Sequence, residues 1–321
     1  MFAFRGIAVS LSIFFIVYGA LSLAVCLAWR SLWRYGQQCP ARRCADLLFA
    51  LRMIPFVAAT GVTLAFAVPS FLLLEPRAVE EPMGTALVVL GLCGMAVVLA
   101  GVWNAAQALV CASRTVARWS RQARVIGSSP INSRQAVSVL WTAAAAPPLT
   151  AAGILRPTVW LSGAAEFVLT ERELLSALRH EVVHVRRRDN LRKLLLRLVA
   201  FPAMAQFESA WREATEMAAD DAAVSSPSEA LDLAAAVIKL SRLSPLAPSV
   251  ELTTALVHSP AESVNARVAR LIAWTERRQS PAQRYSLGYV LFAAAAVVAT
   301  VAVTYSELLV RVHAATEWLV R

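Results

Sequence analysis

The residues best suited to chemistry lie in one short stretch, residues 170–189. His180 and His184 are four positions apart, so on a helix both imidazoles leave the same face about one turn apart. Two neutral imidazoles at this spacing can hold one zinc ion, and Glu181 then lies where it can take a proton from an attacking water. The stretch therefore predicts a metal centre of the kind that hydrolyses peptide bonds.

The same stretch predicts the helix that this geometry requires. Thr170 followed by Glu173 is typical of a capping box, and no glycine or proline interrupts the sequence as far as Asp189. Apolar residues recur at helical spacing on another face, at Leu174, Leu178, Val182 and Val185. The alternative is a helix that carries two surface histidines by chance. Because the 321 residues include only four histidines, we favour the metal site.

Composition indicates a membrane protein. Hydrophobic residues make up 58% of the sequence, charged residues make up 16%, and the mean hydropathy is +0.57, which is unusual for a soluble domain. Three apolar runs, at about 7–29, 53–74 and 85–110, are long enough to cross a bilayer. A fourth run at 287–304 is marginal in length, and we predict that it is the last transmembrane helix.

The distribution of lysine and arginine predicts the orientation in the membrane. These residues are concentrated at 30–46 and after residue 110, which places both segments in the cytoplasm and both termini outside. We therefore predict a membrane segment at 1–110 with three helices and a cytoplasmic domain at 111–286. Residues 287–321 then contain the fourth helix and a short extracytoplasmic tail.

The net charge of +10 could also indicate a protein that binds nucleic acid. However, the sequence has no recognition-helix, RNP or zinc-finger pattern, and its arginines cluster at the predicted membrane edges, where they would face anionic lipid. We therefore expect contacts with membrane lipid and no direct binding of nucleic acid.

A catalytic zinc site normally has three protein ligands. The helix predicted at 205–224 offers several glutamates, and Glu216 is preferred because Asp220 lies one turn further along the same face and can orient a histidine. Asp189 can cap or brace the end of the histidine helix. The alternative for 205–224 is a solvated helix with pairs such as Arg212–Glu216, and the charge pattern alone would favour it.

Three segments together resemble one family. The sequence from His180 to Asp189 looks like the signature of the BlaR/MecR-type membrane zinc metallopeptidases, which are gluzincin-like antirepressor peptidases. Residues 148–161 resemble the family's strand segment, and 212–220 resemble its Glu-x-x-x-Asp segment, in which the glutamate is a zinc ligand. The resemblance implies a multi-pass α-helical membrane protein with an inserted, mostly α (α+β), zincin-like cytoplasmic metalloprotease domain.

The resemblance also implies a zinc-dependent endopeptidase, with Zn²⁺ held by His180, His184 and Glu216 and with Glu181 as the base. Its substrate would be a protein, such as a cytoplasmic transcriptional repressor. The alternative is a non-catalytic membrane signalling scaffold with a structural or vestigial zinc site, which would not need Glu181 as a base.

Two further roles are expected from the chemistry of peptide hydrolysis. The strand at 158–161 would pair with the extended backbone of the substrate. His258 is the first candidate donor to the developing oxyanion, and Arg267 is the second.

The chain also departs from the family in two respects. The antibiotic sensors of this family carry a penicillin-binding domain after the last helix, whereas this sequence ends at Arg321, so we do not expect a β-lactam-sensing role. The connector between His184 and Glu216 lacks the usual tryptophan-rich Asn-Pro segment.

That connector is also too short for the transmembrane hairpin found in the heat-shock-type proteases of a related family.

Overall fold

The computed structural model describes residues 2–75, 84–121, 123–129, 137–143, 147–199, 201, 204–243, 253–255, 261–274 and 304–316. The chain forms two compact units. The first comprises Met1–Trp29, Leu51–Ala100 and Arg278–Arg321, and the second comprises Arg30–Ala50 and Gly101–Arg277. The boundaries expected at residues 110 and 286 stay predictions.

Within the described residues, three helices are long and apolar enough to cross a membrane, and they correspond to the first three predicted spans. They are α1 (Phe2–Leu27), the continuous helical segment Ala41–Leu74 and α5 (Thr85–Ser120). The middle segment consists of α3 (Ala41–Val62), a π-helical turn (Thr63–Ala67) and α4 (Val68–Leu74). The run at 287–304 lies outside the described residues except for its last position, and residues 304–316 are helical.

The segment at 30–46, where lysine and arginine are concentrated, is largely helical. It contains most of α2 (Trp29–Gln37) and the first turns of α3. Asp46 and Phe49 of α3 lie in the second unit, where Arg192 lies against both side chains. The segment is thus part of the unit that contains the metal ligands.

The second unit contains a mixed sheet with strand order β1-β2-β4-β3-β5. Its strands are β1 (Ala123–Ser129), β2 (Val137–Thr142), β3 (Leu149–Ala152), β4 (Thr158–Ser162) and β5 (Thr253–Ala255). Strands β2 and β4 are parallel, and the other neighbouring pairs are antiparallel.

The prediction that residues 158–161 pair with a substrate is wrong. These residues form β4, whose backbone pairs with β2 on one side and β3 on the other, so neither edge is open to a peptide. A short β-prone run does not distinguish a central strand from an edge strand. The nearly continuous burial of β4 is typical of a strand covered on both faces.

Helices cover the sheet and carry the predicted site. They are α6 (Gly163–Val168), α7 (Glu171–Arg187), α8 (Asp189–Leu198), α9 (Ala205–Ala223), α10 (Pro227–Leu243) and α11 (Ala261–Ile272). The core joins apolar residues of β4, α7 and α10, including Val159, Leu161, Val182, Leu233 and Val237. This mostly helical unit with a small mixed sheet confirms the predicted fold class.

The start of α7 confirms the predicted capping box. Thr170 Oγ1 accepts a hydrogen bond from Glu173 N at 3.4 Å, and Glu173 Oε2 accepts one from Thr170 N at 2.8 Å. The helix ends at Arg188, whose left-handed backbone (φ 54°) separates α7 from α8. This turn brings Asp189 back beside the last turn of α7.

Asn190 joins α8 to the β3–β4 hairpin. Its Nδ2 donates to the carbonyl oxygens of Ala151 and Gly153 at 3.1 and 3.2 Å. Gly153 has φ +99°, a conformation that glycine adopts without strain, and a methyl group there would lie 2.9 Å from Arg156 O. The hairpin and the start of α8 are therefore held in a defined register.

Replacing Thr170 with alanine should destabilise the protein by about 1 kcal/mol, because the Glu173 N–H loses its acceptor. For a domain of this size, the unfolding temperature should fall by about 2–4 °C, measured by thermal unfolding in detergent. Thr170→Ser retains the acceptor and should unfold like the wild type. Equal unfolding temperatures for the alanine and serine variants would contradict this role of the cap.

Candidate metal centre

Helices α7 and α9 bring the three expected ligands together. His180 Nε2 lies 3.1 Å from His184 Nε2 and 3.5 Å from Glu216 Oε2. His184 Nε2 lies 3.6 Å from Glu216 Oε1. Both imidazoles are buried and the glutamate is half-buried. This is the one such group of possible metal ligands within the described part of the chain.

These separations match a tetrahedral zinc site. Bonds from zinc to imidazole nitrogen or carboxylate oxygen are about 2.0–2.2 Å long, so tetrahedral geometry separates two ligand atoms by about 3.3–3.6 Å. The observed separations of 3.1, 3.5 and 3.6 Å lie near that range, and the two from Glu216 begin at different carboxylate oxygens. With one ligand atom from each residue, the three atoms lie within 4.8 Å of one another. A rotation of the Glu216 carboxylate would therefore let the three side chains hold the ion.

Each histidine has a carboxylate beside its other ring nitrogen. His184 Nδ1 lies 2.7 Å from Asp189 Oδ2, and His180 Nδ1 lies 3.0 Å from Asp220 Oδ1. These partners favour a proton on each Nδ1, so each Nε2 carries a lone pair. Two lone pairs that face each other beside the Glu216 carboxylate require a cation between them. The chemistry of the donor set therefore fits zinc.

A proton can take the place of the metal. Burial lowers the pKa of His180, but the Asp220 and Glu216 carboxylates outweigh burial and raise this pKa to about 9. Burial raises the pKa of Glu216, whereas the Arg267 guanidinium and the two histidines lower it to about 2. At neutral pH, the site without metal thus contains a protonated imidazole next to an ionised carboxylate.

Glu181 is buried between the sheet and the ligands. Its Oε2 accepts a hydrogen bond from Ala151 N of β3 at 2.9 Å, which fixes the direction of the carboxylate. Burial raises the pKa of Glu181 to about 7, although His184 and His180 act in the opposite direction. A carboxylate with a pKa near neutrality is suited to accept a proton and return it.

Arg267 of α11 pairs with two carboxylates of the site. Its Nε and Nη2 donate to Asp220 Oδ2 and Oδ1 at 2.8 and 2.7 Å, and its Nη1 lies 2.9 Å from Glu216 Oε2. The side chain is 1% exposed. Arg267 was the second candidate for the oxyanion donor, and its position supports a role in bracing Glu216 and Asp220. The first candidate for that donor, His258, lies outside the described residues.

Lys193 is a further charged residue near this site that was not among the predicted site residues. Burial lowers the pKa of the Lys193 ammonium, while the carboxylates of Glu216, Asp189 and Glu181 act in the opposite direction. The lysine therefore lies in the field of the acidic groups around the metal site. The run Arg192, Lys193 and Arg197 resembles a solvated helix face, so no local signal distinguished it.

The part of the chain that contains this site matches a known peptidase family. A model of the BlaR1 peptidase M56 family matches residues 72–273, which is more than half of the chain. The chain belongs to the M56 peptidase family. The match includes all three ligands, and it confirms the expected zinc-peptidase motif with glutamate as the third ligand. A comparison with curated proteins finds no match. As an M56 peptidase, the protein acts on protein substrates.

The zinc affinity of this M56 peptidase should rise with pH between about 6.5 and 8.5, by up to tenfold per pH unit. Below a pKa of about 9, zinc must displace the proton of His180, whereas Glu216, with a pKa of about 2, stays ionised. Chelator competition at three pH values measures the slope. An affinity independent of pH would show that no ligand is protonated in the metal-free protein.

Replacing Arg267 with methionine should destabilise the fold by about 3–5 kcal/mol, because two buried carboxylates lose their cation. Saturating zinc should restore part of this stability by supplying positive charge at Glu216. Thermal unfolding with and without zinc measures both effects. As a control, Arg270→Met removes a surface pair with Asp221 and should cost less than about 1 kcal/mol. Equal effects of the two substitutions would contradict a special role of Arg267.

Proposed function

We propose that this M56 peptidase is an integral-membrane, zinc-dependent endopeptidase that cleaves a regulatory protein in the cytoplasm. The observation that carries the proposal is that ligand atoms of His180, His184 and Glu216 lie within 4.8 Å of one another, with Glu181 buried beside them. Three protein ligands leave one position for water or substrate, as catalytic zinc sites require.

The roles of the side chains follow from their contacts. When bound, zinc would supply a Lewis acid that activates the attacking water and polarises the scissile carbonyl. Glu181 would accept the proton of that water and pass it to the leaving amine, because its pKa of about 7 allows both steps near neutral pH. Asp189 and Asp220 would hold the two histidines in the tautomer that presents Nε2 to the metal.

The cytoplasmic location and the substrate are inferred from sequence. Lysine and arginine residues are enriched on the segments that we assign to the cytoplasm, at 30–46 and after residue 110. The BlaR/MecR-type resemblance supports a transcriptional repressor as the substrate. In this proposal both termini lie outside, and the peptidase unit lies on the cytoplasmic side of a bacterial-type inner membrane.

The first test compares the purified full-length protein with Glu181→Gln. We expect about one zinc per chain in both, and cleavage of casein or of the protein itself at least about 100-fold slower in the variant, because the general base is lost. His184→Ala should lose both zinc and cleavage, because it removes a ligand.

Three results would overturn the proposal. Equal cleavage by the wild type and Glu181→Gln would remove the assigned base. Zinc in both proteins without cleavage in either would favour the signalling scaffold. Absence of zinc from the wild type after reconstitution would remove the metal site itself.

A further inference from the structure

The first turns of α3 contact both helical segments that carry the metal ligands. Asp46 Oδ1 lies 2.7 Å from Arg192 Nη1 of α8 and 3.5 Å from Arg187 Nη2 of α7. One turn further on, the Phe49 ring lies 5.3 Å from the Arg192 guanidinium and 6.4 Å from the ring of Trp211 on α9. Asp46 and Phe49, in the first turns of the apolar helix α3, thus pack against α7, α8 and α9.

The Asp46 contact continues to a metal ligand. Arg187 Nε lies 3.5 Å from Asp189 Oδ1, while Asp189 Oδ2 lies 2.7 Å from His184 Nδ1. Asp189 is fully buried, and the Arg187 side chain is 10% exposed. The two oxygens of Asp189 therefore face different partners, and the cation on one side is itself shared with Asp46.

We propose that Asp46 is a positioning residue for the metal site, acting through Arg187 and Asp189 on His184. The guanidinium of Arg187 lies between two carboxylates. Without the charge of Asp46, its attraction falls on Asp189 alone and draws that carboxylate away from His184. The His184 imidazole then loses the partner that fixes its tautomer and ring orientation. This inference rests on the proposed zinc peptidase function and adds a residue that positions its metal site.

Asp46 lies in the first turns of a helix that becomes apolar further along the chain. Helix α3 continues without a break from Asp46 to Val62, within the candidate membrane span Ala41–Leu74. Asp46 itself belongs to the same compact unit as Arg187, Asp189 and His184, so its contact is part of the metal-binding unit.

The test uses the full-length protein with Glu181→Gln, so that proteolysis cannot affect the measurement. Into this protein we introduce Asp46→Asn, Asp46→Glu or Asp221→Asn. Asp221 is a matched control because its pair with Arg270 is 2.6 Å long and its side chain is 42% exposed. The corresponding values for Asp46 and its pair with Arg192 are 2.7 Å and 46%.

Zinc affinity by chelator competition and the visible spectrum of the cobalt-loaded protein are the two readouts. Changing a residue behind a metal ligand typically costs about 10–100-fold in affinity, so Asp46→Asn, one contact further away, should cost about 3–10-fold. It should also change the cobalt spectrum, which reports ligand geometry. Asp46→Glu should restore most of both properties, and Asp221→Asn should change neither.

A double-mutant cycle tests the route through Arg187. If Asp46 acts through this arginine, Asp46→Asn should have no further effect on zinc affinity in an Arg187→Met protein. Additive losses would overturn the route. Unchanged zinc affinity and cobalt spectrum in Asp46→Asn, or an equal loss in Asp221→Asn, would overturn the proposal as a whole.

These results are separable from the fate of the proposed function. Metal affinity and the cobalt spectrum are measured without catalysis, so they test the positioning role even if the wild type cleaves nothing. Conversely, a difference in cleavage between the wild type and Glu181→Gln supports the peptidase whatever the Asp46 variants show.

Discussion

The structure depends on the compensation of charge in a site that is almost closed to water. His180 and His184 present nitrogen lone pairs to the Glu216 carboxylate, and this cluster is stable only with a cation or a proton at its centre. Arg267 on one side and Asp189 on another supply the fixed charges that hold the ligands in place. The site should therefore bind a cation strongly, and removal of one of its charged groups should destabilise the fold.

The surrounding fold keeps these groups in register by short polar contacts. The sheet contributes the Ala151 N–H that orients Glu181, and the same strand accepts a hydrogen bond from Asn190 at the start of α8. The left-handed turn at Arg188 then returns Asp189 to His184. The sheet, α7 and α8 together thus hold the metal ligands in position.

This M56 peptidase contains the metal site and long apolar helices within one chain. The contact of Asp46 with Arg187 provides a physical link from one of these helices to a metal ligand. In this contact the Asp46 side chain is half-exposed, whereas the Arg187 side chain is nearly buried.

Local patterns in the sequence predicted α7, its capping box and the three apolar spans. A capping box, two histidines one turn apart and a run of about 20 apolar residues each act over one or a few turns, so they can be read without partners. Glu216 could be predicted as a ligand for a similar reason, because Asp220 lies one turn beyond it on the same helix face.

Only the tertiary structure decided the contacts between segments distant in the chain. The central position of β4 depends on β2 and β3, and the pairing of Arg267 with Asp220 joins positions 47 residues apart. The role of Asp46 depends on a helix more than 100 residues away. An exposed charge on an isolated helix gives no indication of its partner, because surface arginines and aspartates follow the same pattern whether they face water or a buried site.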